Sequence, residues 1–224
     1  VIFSRKRAGA GRHSRDERTT EVLDEGTGES TPALVRGPYD ISEIDDEVQR
    51  LDLGSLRIPA VAEVEVRVQA DPQGVIQQVV LVNGDNALQL GVFAAPRSEG
   101  IWDEVREEIR QSLLRDGATA QEVDGEYGPE LHAQVSTPDG PTHLRFVGVD
   151  GPRWMVRGVF QGPVAVDPAK AGPLAECLDG LVVDRGQEAK PVREPLPLRL
   201  PREMADQADA EAGSASAASE SRQV

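Results

Sequence analysis

Cysteine is almost missing from this chain. Cys177 is the single cysteine among 224 residues, so one copy can close no disulfide and build no thiolate cage for a metal. Aromatic residues make up 4% of the chain, too few for the stacking platforms that hold single-stranded RNA. Lysine is confined to Lys6, Lys170 and Lys190. No apolar run approaches the roughly 18 residues that a membrane span needs. Val1-Ile2-Phe3 leads into Ser4-Arg5-Lys6-Arg7 with no apolar stretch behind it, which is not the pattern of a secretory signal, and a cytoplasmic protein is expected. Also missing are a Gly-x-Gly-x-x-Gly turn after a strand, a P-loop lysine, a Gly-x-Ser-x-Gly elbow, His-Glu-x-x-His and Cys-x-x-Cys. The expectation is therefore no catalytic residue, no metal and no cofactor.

Charge is plentiful and unevenly placed. The net charge is −15. Residues 1–18 carry six basic and two acidic side chains, residues 19–52 two and ten, residues 53–185 eleven and twenty, and residues 186–224 five and seven. An acidic body repels phosphate backbones, so nucleic acid is expected to associate only through the basic arm. Residues 1–35 hold few apolar side chains and are expected to be disordered, as are residues 202–224, where Ala, Ser, Asp and Glu dominate.

Between these tails the pattern is that of one α+β domain over residues 36–185. Asp40 and Glu43 read as a capping box, with Ile41, Ile44, Val48 and Leu51 at helical spacing and Gly54 as the stop. The neighbouring Asp45, Asp46 and Glu47 read as a solvated outer face. Ser55–Pro59 reads as a short edge strand, because proline cannot donate to a ladder. Val64, Val66 and Val68 alternate with Glu65 and Arg67. After a turn at Asp71-Pro72-Gln73-Gly74, Val75–Asn83 reads as a longer strand, and Asn83-Gly84 as a hairpin turn leading into Leu88, Leu90 and Val92.

A helix follows, with Ser98 as the expected N-cap, a buried stripe of Trp102, Val105, Ile109 and Leu113, and Gly117 as its end. Glu104 and Glu108 on this helix, with no histidine beside them, read as solvated rather than metal-binding. A second meander spans Ala118–Val123, Gly128–Ser136, His143–Asp150 and Trp154–Gln161. Its register sets Gln134 opposite His143 and His132 opposite Arg145, two histidines on one face that read as solvent-facing. The closing helix has Pro173 in its first turn and Leu174, Cys177, Leu178 and Leu181 on one face, making Cys177 a small core residue. The alternating leucines 196, 198 and 200 lie in an extended strap over residues 186–201, which would dock on the domain or on a partner. The expected architecture is an α/β sandwich: a single, mostly antiparallel sheet of two meanders covered by helices.

Four phrases carry a family likeness: Arg50-Leu-Asp-Leu-Gly-Ser-Leu-Arg-Ile-Pro59, Ala94-Ala-Pro-Arg-Ser-Glu-Gly-Ile-Trp102, Val149-Asp-Gly-Pro-Arg-Trp-Met-Val-Arg-Gly158 and Pro195-Leu-Pro-Leu-Arg-Leu-Pro201. Together they resemble an actinobacterial family of unknown function over residues 36–201. The order of elements from Leu88 to Val183 resembles the sandwich fold of the photosystem II P subunit and of similarly shaped mycobacterial lipoproteins. That likeness implies a binding or assembly role. Function is thus expected to be non-enzymatic, with a protein partner engaged through the strap or the tails. The alternative is a small anionic ligand held at a cleft of Arg97 and Arg153 beside Trp102 and Trp154, since both arginines sit in Pro-Arg turns near a tryptophan.

Overall fold

The computed structural model describes residues 36–71, 75–138 and 140–200. In chain order the strands are β1 (Tyr39–Asp40), β2 (Arg50–Asp52), β3 (Leu56–Pro59), β4 (Glu65–Ala70), β5 (Ile76–Asn83) and β6 (Asn86–Ala94). Then come helix α1 (Trp102–Arg115), β7 (Thr119–Gly125), β8 (Gly128–Thr137), β9 (Gly140–Gly151), β10 (Trp154–Gln161), helix α2 (Gly172–Asp179) and β11 (Val182–Val183). Short 3-10 turns at Pro163–Ala165 and Pro168–Lys170 lead into α2.

Both meanders form as their alternation demands, and they fuse. Strand β10 pairs antiparallel with β6, from Trp154 opposite Ala94 to Gln161 opposite Ala87. The result is a seven-stranded sheet in the order β4-β5-β6-β10-β9-β8-β7. Gly84, with φ of +56°, occupies the left-handed position that the β5–β6 hairpin turn requires. Gln134 lies opposite His143 and His132 opposite Arg145.

The single sheet expected from the sequence is corrected to two. A second, four-stranded sheet runs in the order β1-β11-β3-β2. Its strands come from the two ends of the domain, with Tyr39 beside Val182 and Leu56 beside Val183. Strand β3 is therefore internal rather than an edge. Pro59 is tolerated because it ends the strand, and the next residue donates in its place, from Ala60 N to Gln49 O at 3.2 Å.

The helix expected after Asp40 does not form. The capping contacts exist, with Asp40 N donating to Glu43 Oε2 at 3.0 Å and Ser42 N to Asp40 Oδ1 at 3.0 Å. Yet the apolar stripe beyond them is not buried as one helical face: Val48 is 52% exposed, Ile41 and Ile44 are half-buried, and Leu51 packs against the core from β2. Short helices draw their stability from packing. Instead Asp46 turns the chain by accepting from Val48 N and gripping Arg50, and Leu51 enters β2.

Alternation divides the core between the faces of the large sheet. On one face Val79, Leu81, Leu88, Leu90, Val92, Trp154, Val156 and Phe160 pack with α2 and with Leu56 and Ile58 of the small sheet. On the other, Leu131, Ala133, Phe146, Met155 and Val159 pack under α1. The strap closes the first layer. Leu196 is 3% exposed within that core, and strap backbone bonds to Val92, Ala94, Ile76 and Leu53 tie it to both sheets. Of its two expected docking places, the strap occupies the domain itself.

Candidate functional site

The two tryptophans stand on opposite faces of the large sheet. Trp102, at the start of α1, belongs to the core under that helix, and Trp154 to the core of the other face. Each ring lies against a glycine of β9. A β-carbon on Gly148 would overlap the Trp102 indole, and one on Gly151 would overlap the Trp154 indole. These glycines give the rings room to lie flat on the strand.

Both indole N–H groups are satisfied, as buried donors require. Trp102 Nε1 donates to Pro129 O at 2.8 Å. Trp154 Nε1 donates to Asp40 Oδ2 at 2.9 Å. Asp40 also accepts from the Ser42 hydroxyl at 2.6 Å. Burial on its own would raise the Asp40 carboxyl, but the Ser42 bonds, then Trp154 and the Arg153 charge, hold it below the usual carboxylate range.

Arg153 occupies the β9–β10 turn with φ of +65°. Its carbonyl accepts from Ala95 N at 2.9 Å, which brings that turn beside the loop carrying Arg97. Arg97 is exposed on that loop. Arg153 sets its charge near Asp40 and Arg185.

Helix α1 is capped from a distance. Ser98 is not its N-cap. Instead the carboxylate of Asp150, at the far end of β9, accepts from Ile101 N at 2.8 Å and Trp102 N at 3.2 Å. A carboxylate at this end also suits the helix dipole.

Three polar groupings escaped the sequence reading. The first is buried. Glu130 and Arg145 are 2% and 1% exposed, with Arg145 Nε 3.7 Å from Glu130 Oε2 and its guanidinium 4.3 Å from the centre of the Phe160 ring. His132 Nε2 lies 3.5 Å from the same Glu130 oxygen. His132 is thus half-buried beside an ion pair, not solvent-facing as expected, whereas His143 is exposed. The register placing His132 opposite Arg145 was the available signal.

The second grouping lines a cleft between the small sheet and the strap, where Arg57, Arg185, Lys190 and Arg199 converge. The third is an open concave area on β4–β6, lined by Arg67, Gln69, Gln78, Val80, Val82 and Ala87. Cys177 is fully buried, and burial and then Glu176 push its thiol up to about 11, so it remains an unreactive core thiol at neutral pH. Among the described residues no three His, Cys, Asp or Glu side chains converge in a way that could hold a metal ion. Among them, too, no helix is long and apolar enough to cross a membrane.

A family model described as "Protein of unknown function (DUF3710)" matches residues 37–207. The chain belongs to this family. The match agrees with the family likeness carried by the four quoted phrases, and all of them lie inside it. No curated protein matches. Among solved structures the family member is similar to cyanobacterial PsbP (CyanoP) from Synechocystis sp. PCC 6803. The identity is 15% and the TM-score 0.38, over 61% of this chain and 92% of that one.

Proposed function

We propose that this protein is a non-enzymatic binding or assembly module that engages another protein through the bare face of β4–β6. One observation carries the reading. Helix α1 packs over the β7–β10 side of the large sheet, reaching β6 at Phe93, and among the described residues no helix covers the rest of that face on β4–β6. That area is concave, about 430 Å³. Val80 and Val82 are half-buried there, ringed by Arg67, Gln69 and Gln78. Apolar centres with polar rims are the usual anatomy of protein interfaces. Val80→Asp places a charge at the centre without touching the core face, on which Val79 and Leu81 lie. Affinity capture with the wild type and this variant tests the reading. The same specific partner band should be lost from the variant at unchanged thermal stability, and its undiminished recovery argues against this surface.

A second reading is a small anionic ligand clamped by Arg97 and Arg153. It is favoured by the 2.9 Å Ala95–Arg153 backbone bond, which holds the two Pro-Arg turns together. Saturable binding of a carboxylate or phosphate probe that vanishes in Arg97→Gln supports it; binding unchanged in that variant excludes it.

A further inference from the structure

The cleft between the small sheet and the strap has a volume of about 640 Å³. Arg57 enters it from β3, Arg185 and Lys190 from the segment after β11, and Arg199 from the strap. Three carboxylates share the walls: Asp52, Asp184 and Glu188. Asp52 and Asp184 each lie 3.6 Å from Arg57, and Lys190 lies 3.6 Å from Glu194. Arg185 and Arg199 have no ion-pair partner among the described residues.

Arg185 is the residue that calls for an explanation. It is 8% exposed. Its Nη1 donates to the backbone carbonyl of Glu188, a neutral acceptor, and its Nε has no hydrogen-bond partner among the described residues. Burial, and then the like charge of Arg153, hold its pKa below the ordinary arginine value against the opposing pull of the Glu188 carboxylate. A guanidinium nevertheless stays charged at any physiological pH. A buried guanidinium that makes no ion pair among the described residues and leaves its Nε unbonded is costly.

We propose that this cleft binds a small phosphorylated polyhydroxyl ligand, whose phosphoryl group supplies the directly bonded anion that Arg185 and Arg199 lack among the described residues. The forked guanidinium matches phosphoryl oxygens in a way that a point charge does not. The volume falls within the roughly 300–1,000 Å³ of small-molecule sites. None of the described residues that line the cleft is aromatic, so a nucleobase finds no stacking surface among them. Asp52, Asp184 and Glu188 offer acceptors for hydroxyl groups. Bound there, the ligand bridges β3 to the strap, beside the 3.0 Å bond from Arg199 N to Leu53 O. This site is independent of the β4–β6 surface.

Titration calorimetry on the full chain with glucose 6-phosphate, inorganic phosphate and glucose decides the matter. Saturable binding of the sugar phosphate is expected, tighter than inorganic phosphate, with none for glucose. Arg199→Gln and Arg185→Lys should each weaken it at least tenfold. Arg199 is exposed, so its variant keeps the fold and settles the question even where Arg185→Lys fails to fold. Wild-type affinity in Arg199→Gln would assign the anion to another basic region, such as residues 1–18, and overturn the proposal. Equal affinity for phosphate and its sugar ester, or no saturable binding of either, overturns it as well.

Discussion

Asp40 joins β1 to β10 of the large sheet through one side chain. It caps its own turn at Ser42 and accepts the Trp154 indole N–H 114 residues away. Replacing it by Asn removes the charge and turns one of the two oxygens that accept these bonds into a donor, for a cost of about 1–3 kcal/mol at pH 6. The pH dependence follows from the lowered folded pKa of this group. Such a carboxylate stabilises the fold above its unfolded value of about 3.9, and the contribution fades as pH falls through the folded value. Urea unfolding of wild type and Asp40→Asn at pH 6 and pH 3 should show the gap narrowing in acid; a gap that widens contradicts the assignment. The Glu130–Arg145 pair gives a second prediction. Removing either partner leaves a buried charge, at about 3–5 kcal/mol, whereas replacing both by apolar residues costs much less. A double-mutant cycle with Glu130→Leu and Arg145→Met, followed by thermal unfolding, should therefore show strong non-additivity. Little of this scale was legible in the sequence. Asp40 reads as a helix cap by its neighbours, and nothing near it announces Trp154. Glu130 and Arg145 look like ordinary strand charges until the register brings them together under Phe160.

Hairpins were readable because their signals are local. Asn83-Gly84, the period-two valines and the turn before Gly140 fixed both meanders and their register. Helix α1 was readable by its stripe, but its cap was not, since Asp150 reaches it from β9. The helix expected after Asp40 failed for the converse reason: its local signals were sound, but its stripe finds no common surface, with Val48 exposed and Leu51 reaching the core from β2. Strand β9 shows how closely these elements fit, since both tryptophans rest on its glycines. Gly148→Ala forces the Trp102 ring away from the strand. Overpacking of this kind costs about 1–3 kcal/mol, and it should appear as a lowered Tm together with a shift in tryptophan fluorescence. An unchanged Tm and spectrum would mean that α1 has slack over the sheet.

At the scale of the molecule, the small sheet was the feature that sequence could not supply. It pairs β1 with β11 and β11 with β3, segments too short to show a period and too distant to suggest each other. Its presence, with the strap across it, turns the first face of the large sheet into a closed core and creates the arginine cleft. Among the described residues α1 covers the other face over β7–β10 and the Phe93 end of β6, and the proposed binding role rests on the part left bare. Site-specific photo-crosslinking of the full chain in its native cells addresses this most directly. A benzophenone side chain at Gln78, inside that bare surface, should yield one defined protein adduct. The same group at Val48, exposed on the segment before β2, should yield none. Adducts of equal yield from both positions, or none from Gln78, would contradict the account.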